Sequence, residues 1–283
     1  MLLKHLVSDH EHMRRAGRIA AERFSLSGHD LQVLKQTNGM TADGRPIRLI
    51  DRIPSGTLLA VNLPDSIPKF VSLPYTVFED SSLRVINKPA GLATMASSRG
   101  SGNSLEAEYT LAYGSFQPVN RLDKGTGGLM VCAATGHFQH VLSSDLHTDR
   151  FIREYIAVVE GDVSPSDGKI DLSIGRVPGS DNLRRIDSSG KPSVTYYHTV
   201  MRANHRTMLR LRLITGRTHQ IRVHLAGIGH PICGDYLYGS ALDSFPGTFA
   251  LHSAFLFLTH PVSGDRLFFR SPVPSRFSEL FNS

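Results

Sequence analysis

The chain has 283 residues, of which 40% are hydrophobic, and its formal charge is +6 at pH 7. This length allows one large domain or two smaller ones, and the apolar content excludes a disordered chain. The two cysteines, Cys132 and Cys233, form neither a disulfide framework nor a Cys-x-x-Cys metal site, so we expect a reducing compartment and no metal. Because the sequence shows no secretion signal and no long apolar run, it predicts a cytoplasmic protein without a membrane span.

Residues 1–66 are predicted to form a small separate module. Residues 11–24 and 30–36 have helical composition, and two short strands joined by Asn-Gly, Asp-Gly and Ser-Gly turns follow. Two helices and a hairpin resemble the compact RNA-binding module of a small-subunit ribosomal protein, and a packing appendage is the alternative. The linker that follows is predicted to be stiff because it contains three prolines, Pro64, Pro68 and Pro74.

Residues 67–283 are predicted to form the larger domain, in which strands and helices are mixed. Residues 151–161 and 207–214 alternate and are predicted strands, and the apolar run 129–134 predicts a buried one. Strand-like segments are also predicted at residues 75–80, 83–89, 191–200, 249–258 and 266–269. Helical composition and spacing predict helices over residues 104–113, 136–147 and 218–228. The small polar residues 96–102 predict a mobile loop.

A lone carboxylate stands in a glycine-rich turn before one of these strands. Asp123 follows Arg121 by two residues and precedes three glycines of the segment RLDKGTGG. Loops held by a rigid strand often carry function, and glycines let backbone or ligand approach closely. On these residues alone, a structural ion pair or an Asx-turn explains the pattern more often than catalysis does.

A basic stretch lies further along the chain. Residues 201–225 contain six arginines and no acidic residue, and within them leucines alternate with Arg210 and Arg212. The alternation predicts a strand with one buried face and one face toward water or an anion. Thr218 is the predicted N-cap of the next helix, whose first turn carries His219 and Arg222. Free N–H groups at a helix start, together with a nearby arginine, favour a phosphate or a carboxylate.

No phosphate-binding loop, no dinucleotide fingerprint and no second acid beside Asp123 can be found in the sequence. The residues therefore indicate one-carboxylate chemistry on an anionic polymer. At the same positions the chain resembles the RluA-type pseudouridine synthases. The matching segments, in family order, are NKPAGL, NRLDKGTGGLMV, REYIAVVEG, KPSVTYY, LITGRTHQIRVHLAGIGHPICGDYLYG and LHSAFLFLTHP.

This resemblance implies a fold and a reaction. The expected fold is α+β, with a mixed, mostly antiparallel central sheet, flanking helices and a catalytic cleft. The expected reaction is isomerisation of uridine to pseudouridine within ribosomal or transfer RNA, by a monomer and without a cofactor or metal. A non-catalytic RNA-binding or ribosome-assembly factor on the same fold is the alternative, and a glycosidase is disfavoured because no second acid is supplied.

The resemblance also assigns roles to residues. It implies that Asp123 is the catalytic nucleophile, that Arg222 pairs with it, and that Tyr155 stacks on the base and assists proton transfer. Arg121 is expected to hold the flipped-out nucleotide or its phosphate, with a purely structural role as the alternative. Further RNA contacts are predicted at Lys88, Thr126, Arg210, Arg212, Arg217 and His219, of which His219 is expected mainly to orient its helix.

Three positions depart from the family pattern. Asn120 stands where the family has a histidine, Gly127 where it has a serine, and Arg153 where it has a lysine. None of the changes removes a group that the chemistry needs, and Asn120 is expected to affect the choice of target.

Overall fold

The computed structural model describes residues 2–26, 28–63, 73–96, 103–180, 182–239, 242 and 245–282. Its strands are β1 (Leu2–Leu6), β2 (Arg14–Arg15), β3 (Met40–Ala42), β4 (Arg45–Pro46), β5 (Arg52–Ile53), β6 (Leu58–Asn62), β7 (Thr76–Glu79), β8 (Leu83–Lys88), β9 (Gln117–Pro118), β10 (Gly127–Ala133), β11 (Phe151–Glu160), β12 (Asp167–Asp171), β13 (Ile174–Arg176), β14 (Arg184–Ile186), β15 (Val194–Ala203), β16 (Arg206–Leu213), β17 (Leu251–Thr259) and β18 (Arg266–Arg270). Its helices are α1 (Ala16–Phe24), α2 (Gly28–Thr37), α3 (Leu105–Tyr113), α4 (Gly136–Ser144), α5 (Gln220–Gly227) and α6 (Ser275–Glu279). Pro64, Pro68 and most of the loop predicted at 96–102 lie outside the described residues.

Residues 2–63 contain a sheet and a hydrophobic cluster of their own. The antiparallel sheet has the order β1-β6-β3-β4, and Ile19 and Leu34 of the two helices belong to one cluster with Leu59 of β6. Asp43 and Gly44 join β3 to β4 with φ values of 48° and 79°, the left-handed conformation that a two-residue hairpin requires. The sequence predicted the two helices and a hairpin here, but it did not predict β1.

The central sheet has ten strands, and its order is β12-β15-β16-β11-β17-β10-β8-β7, with β18 on β17 and β9 on β10. Among the pairings of these named strands, only that of β10 with β17 is parallel. The predicted fold class, α+β with a mixed, mostly antiparallel sheet, is therefore confirmed.

Strand β10 lies in the middle of this fold and is buried on both faces. Met130 and Cys132 belong to the larger hydrophobic cluster, together with residues of α3, α5 and α6. Leu129 and Val131 point the other way, into a second cluster with residues of α4. Burial on both faces explains why this strand reads as a continuous apolar run rather than as an alternating one.

Strands β11 and β16 pair across the sheet and define its two faces near the cleft. Tyr155 lies opposite Leu211, and Glu154 lies opposite Arg212. Side chains directly opposite each other in an antiparallel pair share a face. One face therefore carries Tyr155 and the buried leucines, and we call it the front face. The other, the back face, carries Glu154 and the exposed Arg210 and Arg212, as the alternation of β16 predicted.

Candidate active site

Asp123 lies in the turn between β9 and β10, and its side chain is 27% exposed. Packing requires the glycines that follow it. A Cβ on Gly125 would lie 2.5 Å from the ring of Phe249, and a Cβ on Gly128 would lie 2.2 Å from the backbone oxygen of Ser253. The close approach that these glycines permit is thus between the Asp123 turn and the β17 segment, and it fixes the turn against the sheet.

Arg222 connects Asp123 to a second aspartate. Its Nη1 donates to Asp123 Oδ2 at 3.1 Å, while Nε and Nη2 donate to the two carboxylate oxygens of Asp235 at 2.7 and 2.8 Å. The two bonds to Asp235 form the bidentate contact that suits a guanidinium. The rings of Phe249 and Tyr238 lie 4.4 and 5.0 Å from the guanidinium carbon. These contacts hold Arg222 in one orientation.

Arg222 keeps its positive charge although it is buried. Burial by itself lowers the pKa of the guanidinium, but the hydrogen bonds and charge of Asp235, and then those of Asp123, outweigh it and raise the pKa. Asp235 accepts hydrogen bonds from Nε and Nη2 of Arg222, so only the remaining nitrogen, Nη1, is bonded to Asp123. Oδ1 of Asp123 has no hydrogen-bond partner among the residues that the structure describes, so this oxygen is available to a substrate.

The segment before α5 differs from the predicted one. The helix begins at Gln220, and His219 before it has a left-handed φ of 57° and makes no side-chain capping bond. The prediction of Thr218 as N-cap is therefore wrong. The side chain of Gln220 closes this turn instead, because its Oε1 accepts a hydrogen bond from the backbone N–H of Arg217 at 3.0 Å.

The ring of His219 lies beside the Asp123 carboxylate. Its Nε2 is 3.8 Å from Asp123 Oδ2, and its Nδ1 is 2.8 Å from the hydroxyl of Tyr238. That hydroxyl also accepts a hydrogen bond from the backbone N–H of Arg184 at 3.0 Å. Burial lowers the pKa of His219 although Asp123 opposes it, so the imidazole is neutral at pH 7. His219 thereby links the hairpin of β13 and β14 to the carboxylate.

Tyr155 completes a small pocket on the front face. With Asp123 and Arg222 it lines a space of about 60 Å³. Its side chain is 4% exposed, and burial raises the pKa of the phenol. The phenol is therefore protonated at neutral pH. The structure thus brings together the three residues predicted to be catalytic, from β11, the turn before β10 and α5.

A basic cleft of about 900 Å³ adjoins this pocket and shares Asp123 with it. Arg121 is exposed there and forms no ion pair within the described part of the chain. Arg176 and Arg184, from the hairpin of β13 and β14, also line the cleft. Neither was predicted from the sequence, because no motif covers that loop-rich segment. Four of the predicted RNA contacts line the space around Asp123, namely Arg121, Thr126, Arg217 and His219.

Lys88 is not placed to contact RNA, which corrects the prediction made for it. Its side chain is 1% exposed, and Nζ donates to the backbone oxygens of Pro89, Leu92 and Lys124 at 3.0, 2.7 and 3.3 Å. These contacts occupy all three N–H groups of an ammonium. Burial lowers the pKa of Lys88 to about 7, with Asp123 opposing the shift. Lys88 instead joins the end of β8 to the Asp123 turn.

Arg210 and Arg212 also lie away from the pocket. Both project from the back face, opposite to Tyr155, because they alternate with the buried leucines of β16. Nε of Arg210 donates to Glu154 Oε2 at 2.8 Å. Neither arginine lines the pocket or the cleft around Asp123, so the RNA contacts predicted for them stay a prediction and would lie on the back face.

Asp235 is a further residue of the site that was not predicted from the sequence. It is fully buried, at 0% exposure, and its carboxylate is the main partner of Arg222. A signal was present, since the segment PICGDYLYG has one acid among apolar residues. A buried acid requires a charged or hydrogen-bonding partner, and that requirement points to an arginine nearby in space.

The departures from the family pattern have structural counterparts. Oδ1 of Asn120 accepts a hydrogen bond from the backbone N–H of Val131 at 2.9 Å and so ties the segment before Asp123 to β10. A Cβ on Gly127 would lie 3.3 Å from His252 Nδ1, so a serine would fit tightly there. Arg153 donates from Nη2 to the backbone oxygen of Leu146 at 3.2 Å. The position of Asn120 is therefore explained by its bond to β10.

No helix within the described ranges is long and apolar enough to cross a membrane. The same ranges contain no group of three or more histidine, cysteine, aspartate or glutamate side chains arranged to hold a metal ion.

Comparison with known proteins places this geometry in a family. Residues 82–227 match the family model described as RNA pseudouridylate synthase. Ribosomal large subunit pseudouridine synthase D of Haemophilus influenzae is 37% identical over 229 residues, which cover 73% of this chain and 69% of that protein. A Bacillus subtilis protein named as an uncharacterized RNA pseudouridine synthase is 32% identical over 268 residues, which cover 91% of each chain.

Solved structures share the fold. The human RNA pseudouridylate synthase domain containing 1 protein is 23% identical, with a TM-score of 0.59 over 72% of this chain and 85% of that one. The human RNA pseudouridylate synthase domain containing 4 protein is 24% identical, with a TM-score of 0.56 over 72% of this chain and 90% of that one. With the sequence matches, these findings show that the chain belongs to the RNA pseudouridylate synthase family, as an RluA-type isomerase.

Proposed function

We propose that the chain isomerises uridine to pseudouridine in ribosomal RNA of the large subunit, with Asp123 as the nucleophile. The observation that carries this assignment is the state of the Asp123 carboxylate. It is held by Arg222 at 3.1 Å and is partly exposed, and Oδ1 has no hydrogen-bond partner among the described residues. An oriented carboxylate with a free oxygen is suited to attack a sugar carbon or to stabilise an oxocarbenium ion.

In the proposed reaction, a flipped-out uridine enters the pocket and the Asp123 carboxylate attacks ribose C1′. The bond from C1′ to uracil N1 breaks, and its electron pair stays on N1. The uracil turns until C5 faces C1′, a C1′–C5 bond forms, and the carboxylate leaves. C5 then loses its proton and N1 gains one, so the mass of the RNA is unchanged. Attack at uracil C6 by the same carboxylate is the alternative first step.

Tyr155 and the basic cleft have separate tasks in this proposal. The Tyr155 ring stacks on the uracil, and its protonated phenol takes part in the proton transfer at C5. Extruding a nucleotide costs a few kcal/mol of stacking and pairing. Arg121, Arg176 and Arg217 offset this cost by binding the flanking phosphates. Arg222 is held by two aspartates through Nε, Nη1 and Nη2, and it orients Asp123 instead of binding phosphate.

The target and the domain organisation are further parts of the proposal. The relative in Haemophilus influenzae is named for the large ribosomal subunit, which favours ribosomal RNA over transfer RNA as the target. We also propose that residues 1–66 form a domain separate from the catalytic domain of residues 67–283 and that they contribute to RNA binding. Their separate hydrophobic cluster supports the division. We expect a monomer acting in the cytoplasm.

The proposal is tested by mapping pseudouridine with carbodiimide labelling and primer extension. RNA comes from cells that have the gene, lack it, or carry only Asp123→Asn. We expect at least one site in the large-subunit RNA to disappear without the gene and to stay absent with Asp123→Asn, while the purified variant still binds RNA. A site lost only from transfer RNA would overturn the target, and a fully active Asp123→Asn would overturn the nucleophile.

A further inference from the structure

The back face of the sheet carries a row of side chains that the catalytic chemistry does not use. Cross-strand pairing aligns them over six neighbouring strands, from β12 to β18. The members, which we call the back-face row, are Lys169, Tyr196, Arg212, Glu154, Phe255 and Arg270. Strands lie about 4.8 Å apart, so the row is about 24 Å long. It runs across the sheet on the side opposite to Asp123.

Aromatic rings in and beside the row are exposed. Tyr196 is 45% exposed, and Phe257 and Phe268, which pair two residues along from the row on the same face, are 36% and 53% exposed. The rings of Phe257 and Phe268 lie 4.5 Å apart, and the Phe268 ring is nearly parallel to that of Phe255, at 11°. Exposed aromatic rings of this size are unusual on a surface that only meets water.

Arginine side chains lie beside the Phe255 ring. The guanidinium carbons of Arg210 and Arg270 lie 4.9 and 5.9 Å from the centre of the Phe255 ring. Arg210 is neutralised by Glu154. For Arg212, Arg266 and Arg270, by contrast, no carboxylate partner occurs in the described ranges of the chain. The face therefore has unpaired positive charge next to rings, and a depression of about 580 Å³ lies beside Tyr196 and Arg212.

The chemistry that fits such a face is unpaired RNA. Bases stack on exposed aromatic rings and on guanidinium planes, and free arginines bind the phosphates between them. A protein partner would favour an apolar centre depleted of charge, whereas here Phe255 lies beside Arg210 and Arg270, and Tyr196 lies between Lys169 and Arg212. We propose that the back-face row binds a single-stranded segment of the same RNA whose uridine enters the cleft. This inference rests on the proposed function for the identity of that RNA.

The test measures binding of protein-free large-subunit ribosomal RNA from cells that lack the gene. Two double variants remove different parts of the face: Tyr196→Ala with Phe268→Ala, and Arg212→Gln with Arg270→Gln. The control is Val200→Ala with Met201→Ala, which trims exposed apolar residues of β15 outside the row. Filter binding at several salt concentrations is combined with thermal unfolding to verify that each variant is folded.

We expect the aromatic variant to bind this RNA about tenfold more weakly or worse, since one lost base stack is worth roughly that factor. The arginine variant should also bind more weakly. Its slope of log affinity against log salt should be flatter by about 1.4, or about 0.7 for each lost phosphate contact. The control should bind as the wild type does.

Other outcomes overturn the inference. Wild-type affinity in both folded double variants would show that the row does not bind RNA. A changed sedimentation coefficient of the protein, with unchanged RNA affinity, would show that the face instead joins protein chains. The proposed function fails separately, if the wild type binds this RNA but forms no pseudouridine in it. In that case the binding comparison among the variants still decides the inference.

Discussion

Two arginine–carboxylate pairs lie on opposite sides of the central sheet, and their burial decides how strongly the charges of each pair interact. Arg222 and Asp235 are 3% and 0% exposed, and they lie under aromatic rings. Arg210 and Glu154 are 47% and 15% exposed. Water screens the second pair, whereas charges of the first interact in a medium of low dielectric constant. The first pair can therefore fix the Asp123 carboxylate in place, and the second can exchange its partner for another one.

The largest effect is expected from breaking the buried pair. Asp235→Ala leaves the Arg222 charge buried with Asp123 as its remaining carboxylate partner. Removing one member of a buried pair typically costs about 3–5 kcal/mol. We expect a loss of this size in the unfolding free energy from urea denaturation, together with a large loss of pseudouridine formation.

The matched control for this change is Asp235→Glu, which keeps the charge while displacing it by one methylene. It should lose less stability than Asp235→Ala and recover part of the activity. A loss below about 1 kcal/mol for Asp235→Ala, the range of exposed pairs, would remove the contrast between the two sides of the sheet.

The second effect concerns the buried phenol on the front face. Tyr155→Phe keeps the ring that we propose to stack on uracil and removes the hydroxyl. General acid–base groups typically contribute about 10²- to 10⁴-fold to the rate. We therefore expect kcat to fall by at least about a hundredfold while KM for RNA changes little.

Tyr155→Leu serves as the comparison, because it removes stacking as well and should also raise KM. If kcat of Tyr155→Phe equalled that of the wild type, the hydroxyl would have no part in proton transfer, and stacking alone would remain for Tyr155.

The contrast between the two faces explains how much of the fold could be predicted. The alternation in β16 and the continuous apolar run of β10 gave both strands and their burial, because side-chain direction has a period of two. Strand β1 was missed, since its five residues LLKHL show no flanking turn signal. The start of α5 was misplaced because a tertiary contact of Gln220, rather than a hydroxyl cap, closes that turn.

The site could be predicted only in part, for a related reason. Asp123, Tyr155 and Arg222 were identifiable from motifs, and the structure brings them together. Lys88 was misassigned because a sequence pattern does not say which cation is buried. It also does not say which face of the sheet holds the cleft, so it could not place Arg210 and Arg212 on the back face. Asp235 was missed because it reaches Asp123 only through Arg222. Arg222 and Asp123 are distant along the chain, so this connection exists only in the folded protein.

The third effect tests the buried cation beneath the Asp123 turn. The pKa of Lys88 is lowered from 10.5 to about 7 by burial. Between these values the unfolded chain binds a proton that the folded chain lacks, so stability rises with pH. Its contribution to the unfolding free energy is up to about 1.4 kcal/mol per pH unit. Lys88→Met abolishes this contribution.

The measurement compares unfolding free energies from urea denaturation at pH 7, 8, 9 and 10. The wild type should gain stability relative to Lys88→Met as the pH rises. Lys124→Met, at an exposed lysine of the same turn, is the control and should follow the wild type. A constant difference between the wild type and Lys88→Met at all four pH values would contradict the burial of a titrating lysine.

The smallest effect is expected on the back face. Glu154→Gln removes the carboxylate of the exposed pair, while Arg210 keeps its contact with the Phe255 ring, 4.9 Å away. Exposed pairs contribute about 0–1 kcal/mol, so the unfolding free energy should change by less than about 1 kcal/mol. RNA affinity should rise, because the substitution removes the only acid in the back-face row and frees Arg210 for phosphate. A loss of several kcal/mol in the unfolding free energy would mean that this pair contributes as much as the buried pair of Arg222 and Asp235. A fall in RNA affinity would mean that Glu154 positions Arg210 for binding instead of competing for it.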